Sequence, residues 1–300
     1  MEAQEVDQSK VPPLLGDRTF PRAVAQEMDF RKRQALAAGL ATLGVRRAPR
    51  PLLVLTTSRS GSTWLSDLLS GINQSGPLPE HLRPQHFKFA LAVADGQGLL
   101  RHWIEEAAAL IRSQRSGGSK LIWDYFPELF PVGESASLRT TLTPFFELNP
   151  LCLRLRRRDK TAQAVSRYLS SQTGVYHSYK GHLSLWRRRG KGKKLMADSG
   201  PLLAYDAARI AHHEAVLQRA ESHLDASIAA MDIELHELVY EDLMADPAGV
   251  LKPIVENLRP ELTPGKQTLR LQRALRRTRL SKNENALLTE WRDRYNAEQS

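Results

Sequence analysis

One cysteine, Cys152, stands in 300 residues. An internal disulfide and a cysteine-based zinc site are therefore excluded. Cys152 falls within the apolar run Leu151-Cys152-Leu153 and reads as a small buried hydrophobe. No apolar run approaches the roughly 20 residues that a membrane-spanning helix needs. Residues 1–10 are polar and acidic with no apolar centre, so no signal peptide is expected and the chain reads as cytoplasmic. His212 and His213 are adjacent, cannot face one ligand from a helix, and leave no metal expected. Acidic excess is also absent. Lys and Arg number 43 against 33 Asp and Glu, a net charge of +10 at pH 7. That balance favours an anionic partner: a nucleotide, an acidic polymer or a membrane surface.

The stretch that organises the rest is residues 52–69, LLVLTTSRSGSTWLSDLL. Leu52 to Leu55 read as a buried strand, and Ser62-Thr63 open a helix with Leu65, Leu68 and Leu69 on one face. A strand, a tight polar loop and a helix make a phosphate cradle, because a helix N-terminus carries partial positive charge. Gly61 lets the backbone approach closely. Ser60, Ser62 and Thr63 add hydroxyls, and Arg59 adds a fixed positive charge. An ordinary strand–turn–helix with a Ser-rich turn remains the alternative. A Walker A loop is excluded, since Thr56 stands where its first glycine belongs and Ser62 where its lysine belongs. A nucleotide triphosphatase is thereby disfavoured.

Residues 1–50 carry no strand signal and read as a helical extension before the main domain of 51–300. Lys120 to Phe126 read as a second strand, with Trp123 and Tyr125 expected in the core rather than on a substrate. Leu151 to Leu155 read as a third strand, running into Arg156-Arg157-Arg158 and a helix. An Arg at a strand's carboxyl end and a Ser two turns along the next helix, here Arg158 and Ser166, can converge on one phosphate. Residues 177–200 form a basic, aromatic-studded loop or insertion. They suit a lid, a nucleic-acid patch or plain solvated chain. Residues 202–228 read as a long helix, 233–240 as a fourth strand, and the Arg-rich 269–280 as a helix face. Strands alternating with helices predict an α/β fold with a central, mainly parallel sheet flanked by helices. Ligands in such folds sit at the carboxyl ends of the strands, where both phosphate signals fall.

Two segments, TTSRSGSTWL and LRRRDKTAQAVSRYLSSQTG, resemble the 5′-phosphosulfate loop and the 3′-phosphate motif of sulfotransferases that use PAPS (3′-phosphoadenosine 5′-phosphosulfate). They are most similar to the bacterial trehalose 2-sulfotransferase-like carbohydrate sulfotransferases. The resemblance covers residues 51–297. Ser58 departs from the usual Pro of those loops, and Trp64 is closer to the cytosolic pattern.

The resemblance implies a P-loop-like three-layer fold and transfer of a sulfuryl group from PAPS to a hydroxyl of a carbohydrate or small metabolite. Adenosine 3′,5′-bisphosphate is the product, and related enzymes dimerise. Ser60, Gly61, Ser62, Thr63 and Trp64 would bind the donor with Arg158 and Ser166. Arg277 and Arg279 would close the site. Arg59 would stabilise developing charge, and Glu80 in LPEHLRP would be the general base. His81 and His86 compete for that last role, imidazole being the commonest base. A nucleic-acid or polyanion-binding protein is the reading from another class, and a P-loop kinase is a third.

Overall fold

The computed structural model describes residues 50–73, 78–113, 116–131, 133–173, 203–260, 262–277 and 286–300. The N-terminal extension up to residue 49, the basic loop 177–200 and Arg279 lie outside the described residues.

Four parallel strands form one sheet in the order β2-β1-β3-β4. Strand β1 (Leu52–Thr56) is buried along its whole length between β2 (Gly118–Ile122) and β3 (Leu151–Arg156). Strand β4 (His236–Val239) extends β3. An apolar run such as LLVL suits a strand covered on both faces, as parallel sheets are. Alternation along β1 divides the core in two. Leu53 and Leu55 pack with Phe87, Ile104, Trp123 and Phe126 on one face. Leu52 and Val54 pack with Leu65, Leu68, Leu153 and Ile254 on the other.

Helix α1 (Ser62–Asn73) follows β1 directly. Helices α2 (Pro84–Leu91) and α3 (Gly96–Arg112) lead to β2. A 3₁₀ turn (Trp123–Tyr125), α4 (Phe126–Leu129) and α5 (Ser135–Phe146) lead to β3. Helix α6 (Lys160–Thr173) leaves β3, and α7 (Ala207–Met231) precedes β4. Helices α8 (Tyr240–Ala245), α9 (Pro247–Leu258), α10 (Pro264–Arg277) and α11 (Ala286–Gln299) complete the described chain. A third apolar cluster joins α6, α7 and α11 through Val165, Tyr168, Ile210, Leu217, Trp291 and Tyr295.

The layers are helix, sheet, helix, as the alternating pattern predicts. No described helix is long and apolar enough to cross a membrane. Strand β2 starts two residues before Lys120 and stops at Ile122, so Trp123 begins the 3₁₀ turn rather than continuing the strand. Trp123 is fully buried, stacks on Phe126 at 4.1 Å and donates from Nε1 to His223 Nδ1 at 2.9 Å. Cys152 is buried, and burial pushes its thiol up to about 11.

Candidate active site

The loop between β1 and α1 sits at the carboxyl ends of the strands, and neighbouring elements hold it from several sides. Thr56 Oγ1 donates to Leu155 O of β3 at 2.7 Å and lies 2.6 Å from Ser60 Oγ. Gln163 of α6, wholly buried, donates from Nε2 to Thr57 Oγ1 at 2.9 Å and to Ser58 O at 2.6 Å. Asp124 Oδ1 accepts the Ser58 N–H at 2.8 Å. Arg157 Nη1 donates to Arg59 O at 3.3 Å. These bonds hold Arg59 in the left-handed region, at φ 63°, which a non-glycine residue adopts only when its surroundings enforce it.

Gly61 follows at φ 87°. A Cβ there would lie 2.5 Å from the Tyr240 ring, so close approach and backbone conformation both demand glycine. The Arg157 guanidinium lies 5.0 Å from the centroid of that same ring. The first helical bond of α1 runs from Leu65 N–H to Gly61 O at 3.1 Å. The positive end of the α1 dipole therefore opens at residues 61–64.

Three further contacts define the two edges of this cradle. On one side, Arg59 Nε donates to Ser166 Oγ at 2.9 Å, joining the loop to α6. On the other, buried Lys120 of β2 donates from Nζ to Thr63 Oγ1 at 3.4 Å and lies 3.7 Å from Glu80 Oε2. Glu80 is held there because Pro79 O accepts the Lys120 N–H at 3.0 Å, and its side chain stays 27% exposed. A carboxylate open to solvent, a buried ammonium and a helix N-terminus thus stand in one row.

Other expected site residues fall elsewhere. The Ser60 hydroxyl faces inward to Thr56 and is fully buried, so it is spent on the loop's own folding. Trp64 is buried and packs with Leu65, Leu68 and Val54. The expected convergence of the Arg158 and Ser166 side chains is not what they do. Arg158, 63% exposed, makes a bidentate pair with Asp242 at 2.8 Å to each oxygen, while Ser166 is taken by Arg59. Successive residues leaving a strand point opposite ways, so Arg157, one position earlier, is the arginine that reaches the loop. Arg277 ends α10.

The two histidines that compete with Glu80 are occupied. His81 is buried with Nδ1 3.0 Å from Ser119 Oγ. Burial first, and the Arg83 charge second, bring it down to about 4. His86 accepts the Arg83 N–H at Nδ1, 3.0 Å away, and meets Trp103 edge-on at 4.7 Å.

Sequence reasoning left out Asp124, Arg157 and Gln163, and it read Glu241 only as part of a structural cap after the fourth strand. Glu241 accepts the N–H groups of Arg158 and Asp159 at 2.9 and 3.1 Å and so shapes the turn from β3 into α6. Burial works against its charge, yet those two N–H groups hold its carboxyl below the usual carboxylate range.

The family model described as Stf0 sulphotransferase matches residues 51–298. Trehalose 2-sulfotransferase of Mycobacterium tuberculosis (strain ATCC 35801 / TMC 107 / Erdman) is 27% identical over 286 residues, covering 84% of this chain and 96% of that protein.

Proposed function

This chain belongs to the Stf0 sulphotransferase family and is a sulfotransferase; from that premise we propose that it moves a sulfuryl group from PAPS to a hydroxyl of a carbohydrate. The acceptor oxygen attacks sulfur in line, and the bond between sulfur and the 5′-phosphate oxygen breaks. Glu80 takes the hydroxyl proton. The negative charge gathering on the leaving phosphate is met by Arg59, by Lys120 and by the N-terminus of α1. Adenosine 3′,5′-bisphosphate departs. Ser62 and Thr63 would take the 5′ end of the donor across Gly61. Ser166, Arg158 and Arg157 would take the 3′-phosphate, with Arg158 exchanging Asp242 for it. Catalysis here is positioning and electrostatics, as in phosphoryl transfer. The carbohydrate acceptor rests on the trehalose 2-sulfotransferase relative.

The observation that carries this reading is the contact between Arg59 and Ser166, 2.9 Å, because it brings the two phosphate-type segments to one crevice. Thermal unfolding with added nucleotide tests it. Adenosine 3′,5′-bisphosphate at about 100 times its dissociation constant should stabilise the protein by about 2.7 kcal/mol. ADP and ATP with Mg²⁺ should do far less. Equal stabilisation by ATP would point to a kinase instead.

A further inference from the structure

Asp124 is a carboxylate beside a site that must attract anions, and its side chain is only 2% exposed. Burying a charge there costs free energy unless both oxygens are well used. They are. Oδ1 accepts the Ser58 N–H at 2.8 Å, and Oδ2 lies 2.8 Å from Arg167 Nη1. Ser58 belongs to the loop after β1, Arg167 to α6, and Asp124 to the turn after β2. One side chain therefore ties three chain segments together. Arg167 adjoins Ser166 in the sequence. The Ser58 peptide is gripped at both ends, since its carbonyl accepts Gln163 Nε2 from the same helix. The next residue, Arg59, holds φ 63°. His213 faces this pair from α7; burial, then the Arg167 charge, bring it down to about 4, so it adds no second cation near neutral pH.

We propose that Asp124 is a positioning residue that sets the spacing between the two anion seats, the turn at Gly61 and Ser166 two turns along α6. The inference rests on the sulfuryl-transfer reading above. Its signature is selective. A ligand with two phosphates needs both seats in register, whereas a ligand with one phosphate needs a single seat.

Calorimetric titration of wild type, Asp124→Asn and the double variant Asp124→Asn with Arg167→Gln tests this, using adenosine 3′,5′-bisphosphate, 3′-AMP and 5′-AMP. Asparagine keeps an acceptor for Ser58 but gives up the charged tie to Arg167. The bisphosphate should bind Asp124→Asn about tenfold more weakly, because the ion pair to Arg167 is lost and α6 is no longer held in register with the loop. Each monophosphate should change less than about twofold. The double variant removes both buried charges together, which avoids leaving Arg167 unpaired, and should show the same selective loss. Wild-type bisphosphate affinity in either variant would overturn the proposal. So would an equal loss for all three nucleotides, which marks local collapse of the loop. A wild type that ignores the bisphosphate would reject sulfuryl transfer itself, and this inference with it.

Discussion

Single atoms decide the chemistry at the start of α1. Glu80 stands 3.7 Å from Lys120 Nζ, which reaches Thr63 Oγ1 at 3.4 Å. If Glu80 is the base, Glu80→Gln removes the proton acceptor and leaves shape and donor contacts alone. Turnover should fall by about 100-fold or more, with the affinity for adenosine 3′,5′-bisphosphate kept within about twofold. Steady-state rates beside calorimetry check this, and undiminished turnover removes Glu80 from the mechanism. Gly61 allows a second test. Alanine there would meet the Tyr240 ring at 2.5 Å in a backbone conformation at φ 87°. Gly61→Ala should lose roughly 1–3 kcal/mol of stability, read from urea midpoints. Shrinking the ring with Tyr240→Ala should relieve the clash but not the φ strain, so the double variant should recover only part.

Whole elements place those atoms. The turn from β3 into α6 presents three consecutive arginines, and Glu241 at the head of α8 fixes its backbone. Glu241→Ala frees two N–H groups and lets Arg158 and Asp159 shift. Donor affinity should fall about tenfold in titrations, with Arg158→Ala as the companion variant. Affinity unchanged in both would remove this turn from the donor site. Much of the scaffold was legible from patterns: LLVL as a doubly covered strand, LCLRL as another, and the cradle from Gly61 and the helix opening at Ser62. What patterns could not supply was the phase of side chains after a strand ends. Arg157 and Arg158 differ by one position, yet one faces the loop and the other Asp242. Nor could they supply partners from distant segments. Asp124 and Glu241 meet the loop and the β3–α6 turn from 66 and 83 residues away.

The molecule as a whole responds to acid through its buried histidines. Burial brings His81 down to about 4, against an ordinary 6.5. Between those values the unfolded chain carries a proton that the native protein refuses. Stability should therefore hold above pH 6.5 and fall as pH drops toward 4, by up to about 1.4 kcal/mol per pH unit for this one group. His213 shifts the same way. Urea midpoints at pH 7.5 and 5 check the trend, and His81→Asn should flatten part of it.

The all-parallel sheet has a consequence for how the protein is made. Thr56 bonds Leu155 across 99 residues, and no hairpin joins any two of the four described strands. Such long-range pairing matures slowly. A collapsed chain can bury its tryptophans long before the nucleotide crevice exists. In refolding from urea, capture of a fluorescent bisphosphate should thus lag behind the intrinsic fluorescence change, making ligand capture a clock for the final docking of the strands.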